Sequence, residues 1–139
     1  MATIMAAETD LARLLAGLAP VLDTVPFGFV VLAHGKAVPA GVLPFALVQE
    51  AEGQTVIAPC AMLDAAGIAV QGRWAHITIT AHSALAAVGL TAAMATALSA
   101  VGISANVVAA FHHDHLFVPW DRRDQALAVL IELARAASR

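Results

Sequence analysis

Residues 74–119 decide the fold class and read WAHITITAHSALAAVGLTAAMATALSAVGISANVVAAFHHDHLFVP. The first eight residues alternate isoleucine with threonine, which predicts a β-strand with one buried face. Large apolar residues then recur at helical spacing, which predicts a helix over residues 85–101. Gly102 predicts the end of that helix, because glycine is the preferred residue just past a helix C-terminus. The stretch therefore begins a strand–helix unit.

Two more strands and a helix complete this unit. Residues 103–112 alternate and predict a strand, His113 and Asp114 predict a turn, and residues 115–118 predict the returning strand. Asp121 is the expected N-cap of a last helix. The apolar stripe of that helix comprises Leu127, Leu130, Ile131 and Ala134. The unit therefore reads strand–helix–strand–strand–helix.

The first half of the chain has a related but less regular pattern. Leucines at 11, 14, 15 and 18 predict a short helix, with Thr9 or Asp10 as its N-cap. Strands are predicted over residues 27–33, 42–48 and 55–58, and a short helix is predicted between Pro59 and Gly67. About 70 residues would be marginal as an independent domain. We therefore expect an α+β protein of two associated modules, residues 1–72 and 73–139.

Composition excludes several classes of protein. The 139 residues are 60% apolar and 12% charged, whereas disordered chains combine low hydrophobicity with high charge. The formal net charge is -3, and Lys36 is the sole lysine, so we expect no nucleic-acid partner. The single cysteine, Cys60, cannot form an internal disulfide, which fits a reducing cytoplasm. No basic residue adjoins Cys60 in sequence to lower its pKa.

The high apolar content raises the question of a membrane span. The best candidate, residues 84–101, has about the minimum length and is built mostly from alanine with threonine and serine. No lysine or arginine flanks it closely. Near the N-terminus, Glu8 and Asp10 precede the apolar run without a basic leader, which argues against a secretory signal. We expect no membrane association and a cytoplasmic location.

The densest polar cluster is formed by His112, His113, Asp114 and His115. Imidazole and carboxylate groups are good ligands for zinc or iron. However, adjacent histidines on a strand point apart, and the sequence has no HExxH spacing. The cluster could be the polar tip of a hairpin, a contact for a small ligand or a metal site. We expect no bound metal, and a small metal-dependent enzyme using residues 112–115 is the alternative hypothesis.

Ser83 lies at the predicted strand-to-helix junction. Free amides at a helix N-terminus attract carboxylates and phosphates, although Ser83 could instead simply cap the helix. A nucleophilic serine would need a GxSxG elbow, which the sequence lacks. Glu50 and Glu52 flank a turn and are typical of a solvated rim. We therefore predict no catalytic residue and no cofactor.

Four short motifs carry a family resemblance: VGLTA at 88–92, GIS at 102–104, FHHDHLFVP at 111–119 and EAEGQTVIAP at 50–59. On these motifs the chain resembles the ACT-domain superfamily, in particular small bacterial proteins with two ACT-like halves. The resemblance implies two ferredoxin-like βαββαβ modules packed side by side, with antiparallel sheets and helices on one face.

The resemblance also implies that an amino acid or similar metabolite binds at the first strand-to-helix loop and the turn before the last strand. The implied ligand-binding residues are Ser83, Ala84, Ala87, Val88, Gly89, Ala110, Phe111 and Asp114. An arginine-sensing member of the superfamily has acidic residues where this chain has Ala86 and Ala87. A cationic side chain would lose its partners here, so we do not expect specificity for arginine.

The resemblance implies a regulatory, non-enzymatic role, in which a ligand shifts the assembly state or the binding of a protein partner. One face of the predicted helix is small and would let a second helix approach closely; it comprises Ala92, Ala95, Thr96 and Ser99. This face and the high apolar content predict a homodimer. A structural or interaction module that has lost its ligand is the other alternative.

Overall fold

The computed structural model describes residues 10–81 and 83–139, so Thr9 and His82 lie outside the described residues. The chain divides into two compact units. The inner unit is residues 24–75, and the outer unit combines residues 10–23 with residues 76–139. The expected module boundary between residues 72 and 73 stays a prediction, because a compact unit and a sequence module need not coincide.

The chain forms four α-helices and six β-strands within its described residues, and two of these strands, β1 and β4, contain residues of both units. They are α1 (Leu11–Ala16), β1 (Pro20–Leu32), β2 (Ala46–Glu50), β3 (Gly53–Pro59), α2 (Cys60–Ala65), β4 (Trp74–Ile79), α3 (Leu90–Ser99), β5 (Asn106–Ala109), β6 (Asp114–Pro119) and α4 (Arg123–Ala137). Strand β1 leaves the outer unit and enters the inner one, and β4 leads back.

In the inner unit, β3 lies between β2 and β1 and pairs antiparallel with both. Its core combines Val56 and Ala58 of β3 with Leu63 of α2 and Val42. The second strand begins at Ala46, four residues later than predicted. Pro44 lacks the N–H that a strand ladder requires, and Val42 is buried in the core instead.

In the outer unit the strand order is β1-β4-β6-β5, and helices α1, α3 and α4 pack against one another. Ile77 and Ile79 of β4 are fully buried, as the alternation predicts. From α3, Met94 and Leu98 are fully buried, and Leu130 of α4 joins them. Asp10 caps α1, since its Oδ1 accepts a hydrogen bond of 3.0 Å from the Arg13 amide.

Three local predictions for the outer unit were wrong. Helix α3 begins at Leu90, five residues later than expected. Asp114 is not in the turn but opens β6, where it pairs with Ala109. Asp121 lies in a 3₁₀ turn, Trp120–Arg122, and does not cap α4. Among the described residues, no helix has both the length and the apolar character that crossing a membrane requires.

Candidate functional site

The loop between β4 and α3 is anchored at its start to the residues that precede β1. The Thr80 hydroxyl donates a hydrogen bond of 2.7 Å to the carbonyl of Ala19, and the Ala81 amide reaches the carbonyl of Leu18 at 3.4 Å. A turn follows, in which the Ala87 amide donates to the carbonyl of Ala84 at 2.9 Å. These bonds hold the loop close to α1 and set the entry into α3.

Gly89 sets the direction in which the loop enters α3. Its φ of 100° lies in the left-handed region, which glycine adopts without steric cost. A Cβ here would lie 3.0 Å from Cδ2 of Leu11, so a larger residue would also crowd α1. Gly89 occupies the N-cap position without a side chain to accept hydrogen bonds from the first turn of α3.

A small cavity of about 70 Å³ opens beside this loop. Four of the implied ligand-binding residues line it: Ser83, Ala84, Ala87 and Asp114. Its remaining lining residues are Leu85, Leu90, Thr91 and Ala109. The cavity thus joins the loop, the first turn of α3 and the facing ends of β5 and β6.

The other four implied residues do not line the cavity. Val88 and Phe111 are 83% and 76% exposed, and Ala110 is exposed in the turn between β5 and β6. Gly89 contributes by its left-handed backbone conformation, which sets the direction in which the loop enters α3. Leu85, Leu90, Thr91 and Ala109 line the cavity but were not among the residues that the resemblance implied.

Among the described residues that line this cavity, Asp114 is the one acidic residue. The turn before it is closed by a hydrogen bond of 3.1 Å from the Ala110 amide to the carbonyl of His113. Burial raises the pKa of the Asp114 carboxyl above its ordinary value. A cationic ligand group beside it would favour the ionised form, so the site is suited to an ammonium group.

The sequence cluster at residues 112–115 is divided between different surroundings. His112 lies edge-on to the exposed ring of Phe111, with centroids 5.0 Å apart, and Asp114 reaches the cavity. His115 instead contacts His76, with 2.8 Å between its Nδ1 and the His76 Nε2. Within residues 10–81 and 83–139, no three histidine, cysteine or acidic side chains are grouped to hold a metal ion.

His76 and His115 form a partly buried pair on β4 and β6. The hydroxyl of Thr78 lies 3.4 Å from both rings, and Asp23 Oδ2 lies 3.5 Å from the Nδ1 of His76. The ring of Phe117 stacks on His76 with centroids 5.0 Å apart. Alternation along β4 places His76 and Thr78 on one face in the sequence, but it could not identify a partner 39 residues away.

Burial controls the protonation of this pair. It lowers the pKa of His115 to about 4, with further lowering by the charges of His76 and His113. Burial also lowers the pKa of His76, although the Asp23 carboxylate opposes the shift. Both rings are therefore neutral near pH 7. One ring can donate a hydrogen bond to the other through the short contact, which ties β4 to β6.

Two models of the ACT domain match the sequence, one over residues 6–74 and the other over residues 69–132. The chain belongs to the ACT-domain family. The expected membership of the ACT-domain family, with two modules, is therefore confirmed. No curated protein matches the sequence.

Solved structures agree with this assignment. A Vibrio cholerae protein of unknown function, described as a possible transport protein, is 37% identical with a TM-score of 0.75; the match covers 85% of this chain and 91% of that one. The ligand-free regulatory subunit of Thermus thermophilus aspartate kinase gives 12% identity and a TM-score of 0.60, covering 84% of this chain and 97% of that one.

A third similar structure is the aspartate kinase of Clostridium acetobutylicum, described as an allosteric enzyme. It is 11% identical with a TM-score of 0.66, and the match covers 82% of this chain and 34% of that chain. At such low identity the two kinases support the fold alone. The expected α+β ACT fold is confirmed, and a regulatory role is the function that the family supports.

Proposed function

We propose that this ACT protein binds the charged end of an amino acid or a related small metabolite in the cavity around Asp114, whose volume of about 70 Å³ matches that end and not the whole ligand. The observation that carries the proposal is that one carboxylate and the first turn of a ten-residue helix line the same small cavity. An α-amino acid carries two opposite charges one carbon apart. The cavity presents one partner for each of them.

The proposed contacts follow from the charges. The ligand carboxylate would accept hydrogen bonds from the amides at the start of α3, where the helix dipole favours an anion. The ligand ammonium would donate to Asp114. These amides belong to the first turn of α3, whose residues Leu90 and Thr91 line the cavity. The alanines at 84 and 87 allow the ligand close to the backbone.

Regulation would follow from linkage between binding and assembly. A ligand that binds one arrangement of modules or subunits better than another shifts the population toward it. We propose a cytoplasmic homodimer, and Ala92, Thr96 and Ser99 are exposed on α3, as a helix-packing face requires. The output would pass to a protein partner or to the assembly state, with no catalytic step on this chain.

The decisive experiment is a thermal-shift screen against the amino acids, followed by calorimetry on the best ligand. A ligand that binds the native state raises the melting temperature by mass action. We expect Asp114→Asn to weaken binding roughly 10- to 150-fold, since hydrogen bonds to charged groups contribute about 1.5–3 kcal/mol. The matched control is Asp121→Asn, which removes an exposed carboxylate outside the cavity.

Two results would contradict this proposal. Equal affinity in the Asp114→Asn and Asp121→Asn variants would remove Asp114 from the site. If no amino acid raises the melting temperature, the interaction module without a ligand becomes the better hypothesis. Light scattering with and without the ligand then tests the assembly part, and a monomer in both conditions would exclude a homodimer.

A further inference from the structure

A second and larger cavity lies wholly within the inner unit. It has a volume of about 690 Å³, which falls within the range of about 300–1,000 Å³ usual for small-molecule sites. The start of β1, helix α2 and the segment before β4 form its walls. The cavity around Asp114 belongs to the outer unit, so the two cavities share no residue.

The walls of this cavity combine apolar surface with two opposite charges. Val25, Pro26 and Val70 supply the apolar part. Asp64 lines the cavity from α2, and Arg73 lines it from the segment that leads into β4. A carboxylate, a guanidinium and an aliphatic wall are the three elements that recognise a short amphiphilic acid.

Contacts on both sides of Arg73 restrict its position. The side chain of Arg73 makes a hydrogen bond with the buried thiol of Cys60, which also lines the cavity. The next residue, Trp74, packs its ring edge-on against Phe29, with centroids 5.8 Å apart. Sequence adjacency had shown no basic neighbour for Cys60, so this contact corrects that expectation.

The guanidinium of Arg73 lines the cavity beside this thiol contact. Burial raises the pKa of Cys60, and this effect outweighs the lowering by Arg73, so the thiol is neutral. A neutral thiol is only a weak acceptor, whereas a guanidinium has five N–H donors in a planar fork. That fork matches a carboxylate in a bidentate arrangement.

We propose that the cavity of the inner unit binds a short aliphatic carboxylate that carries a hydrogen-bond donor next to its carboxyl group. Arg73 holds the carboxylate, Asp64 accepts from the neighbouring ammonium or hydroxyl, and the aliphatic chain covers Val25, Pro26 and Val70. The same chemistry is found in α-amino acids and in 2-hydroxy acids. This site does not depend on Asp114.

Calorimetry on the Asp114→Asn protein tests the proposal with the first site removed. The probes are L-leucine, L-2-hydroxyisocaproate and isocaproate, which share one carbon chain and differ only in the donor beside the carboxyl. We expect saturable binding of one or both of the first two, and isocaproate to bind about 10-fold more weakly. Whichever of the two binds identifies the donor as ammonium or hydroxyl.

Two further substitutions on this background assign the contacts. Arg73→Gln should weaken the better probe roughly 10- to 150-fold. Asp64→Asn should remove most of the difference between that probe and isocaproate. Arg135→Gln is the matched control, because Arg135 is an exposed arginine paired with Glu132 on α4, and it should change nothing.

The proposal is overturned if none of the three probes binds saturably up to about 10 mM. It is also overturned if isocaproate binds as well as the other two, or if Arg73→Gln binds like Arg135→Gln. Melting temperatures of all variants show whether a loss of binding reflects a loss of folding. If Arg73→Gln fails to fold, the Asp64→Asn comparison still decides the outcome. Because the unmodified protein holds both sites, an amino-acid screen without a hit would contradict the first site and leave only a 2-hydroxy acid as the ligand of this one.

Discussion

The sequence matches an ACT-domain model in each half, but the inner and outer units bury their strands in different ways. In the outer unit, α1, α3 and α4 pack together and carry large, fully buried side chains such as Met94, Leu98 and Leu130. In the inner unit, the six-residue α2 and a ring of partly buried side chains complete the core. The cavity described in the outer unit has a volume of about 70 Å³, and the one described in the inner unit has a volume of about 690 Å³.

The two units therefore differ both in the volume of their cavities and in how deeply helical side chains are buried against their strands. It follows that the outer unit should tolerate core truncation poorly, and that the inner unit should adjust more easily around a lost side chain.

The largest expected effect comes from truncating one buried leucine in each unit. Leu98→Ala should cost about 3–5 kcal/mol, because packed helices surround the side chain and cannot close the void. Leu63→Ala should cost about 2–3 kcal/mol, since the partly buried Met62, Ile68 and Val70 beside it can move inward. Urea denaturation measures both, and a larger loss for Leu63→Ala would reverse the comparison.

A smaller effect is expected at the turns of the two units. Gly53 has a φ of 153°, and a Cβ there would lie 2.6 Å from the carbonyl oxygen of Leu32. Gly53→Ala should therefore cost about 2–3 kcal/mol through strain and overlap. Gly102→Ala, at a φ of 74° but with open space around it, should cost only about 1 kcal/mol. Equal melting temperatures for the two variants would show that the β2–β3 hairpin adjusts freely.

A further expected effect is a pH dependence of the free energy of unfolding that comes from His115 in the outer unit. The folded state holds His115 at a pKa of about 4, below the ordinary value of 6.5, so the unfolded chain binds more protons between these values. Stability therefore rises with pH from about 4 to 6.5 and is fully present above that. After allowance for screening, the change amounts to about 1–2 kcal/mol.

The pH effect can be assigned by substitution. His115→Phe should reduce the acid limb of a plot of unfolding free energy against pH and leave the part that belongs to His76, whose pKa is also lowered. The exposed His112→Gln should leave the limb unchanged. Asp114 acts in the opposite sense, because its raised pKa makes the folded state bind more protons just above the ordinary carboxyl value. If the acid limb is undiminished in His115→Phe, the loss of stability at low pH belongs to groups other than His115.

Much of the fold could be predicted because the period of the apolar residues is a local property. The alternation around Ile77 and Ile79 and the stripe of Leu90, Met94 and Leu98 place buried faces correctly. The boundaries were harder to predict. Alanines before Gly89 suit a helix, and only the packing of Leu11 against Gly89 shows why the helix begins after it.

The candidate site was predicted in part for a related reason. Ser83, Ala84, Ala87 and Asp114 come together because the loop and the β5–β6 turn lie at the same end of their strands. The contact between His76 and His115, and that between Cys60 and Arg73, join residues far apart in sequence. Neither pair leaves a local pattern, so no periodicity or spacing could reveal them.

The inner unit is a continuous stretch of the chain, whereas the outer unit is made of two separate stretches, and this affects the order in which they can fold during synthesis. Residues 10–23 leave the ribosome before residues 24–75, yet their compact unit is completed only by residues 76–139. The inner unit, encoded between them, has all its residues available much earlier. Co-translational folding would therefore begin with residues 24–75, before α3 and α4, against which α1 packs, have been synthesised. A nascent chain stalled once residue 75 has cleared the ribosome exit tunnel, but before residues 76–139 are complete, should protect residues 24–75 from protease while α1 is still cut.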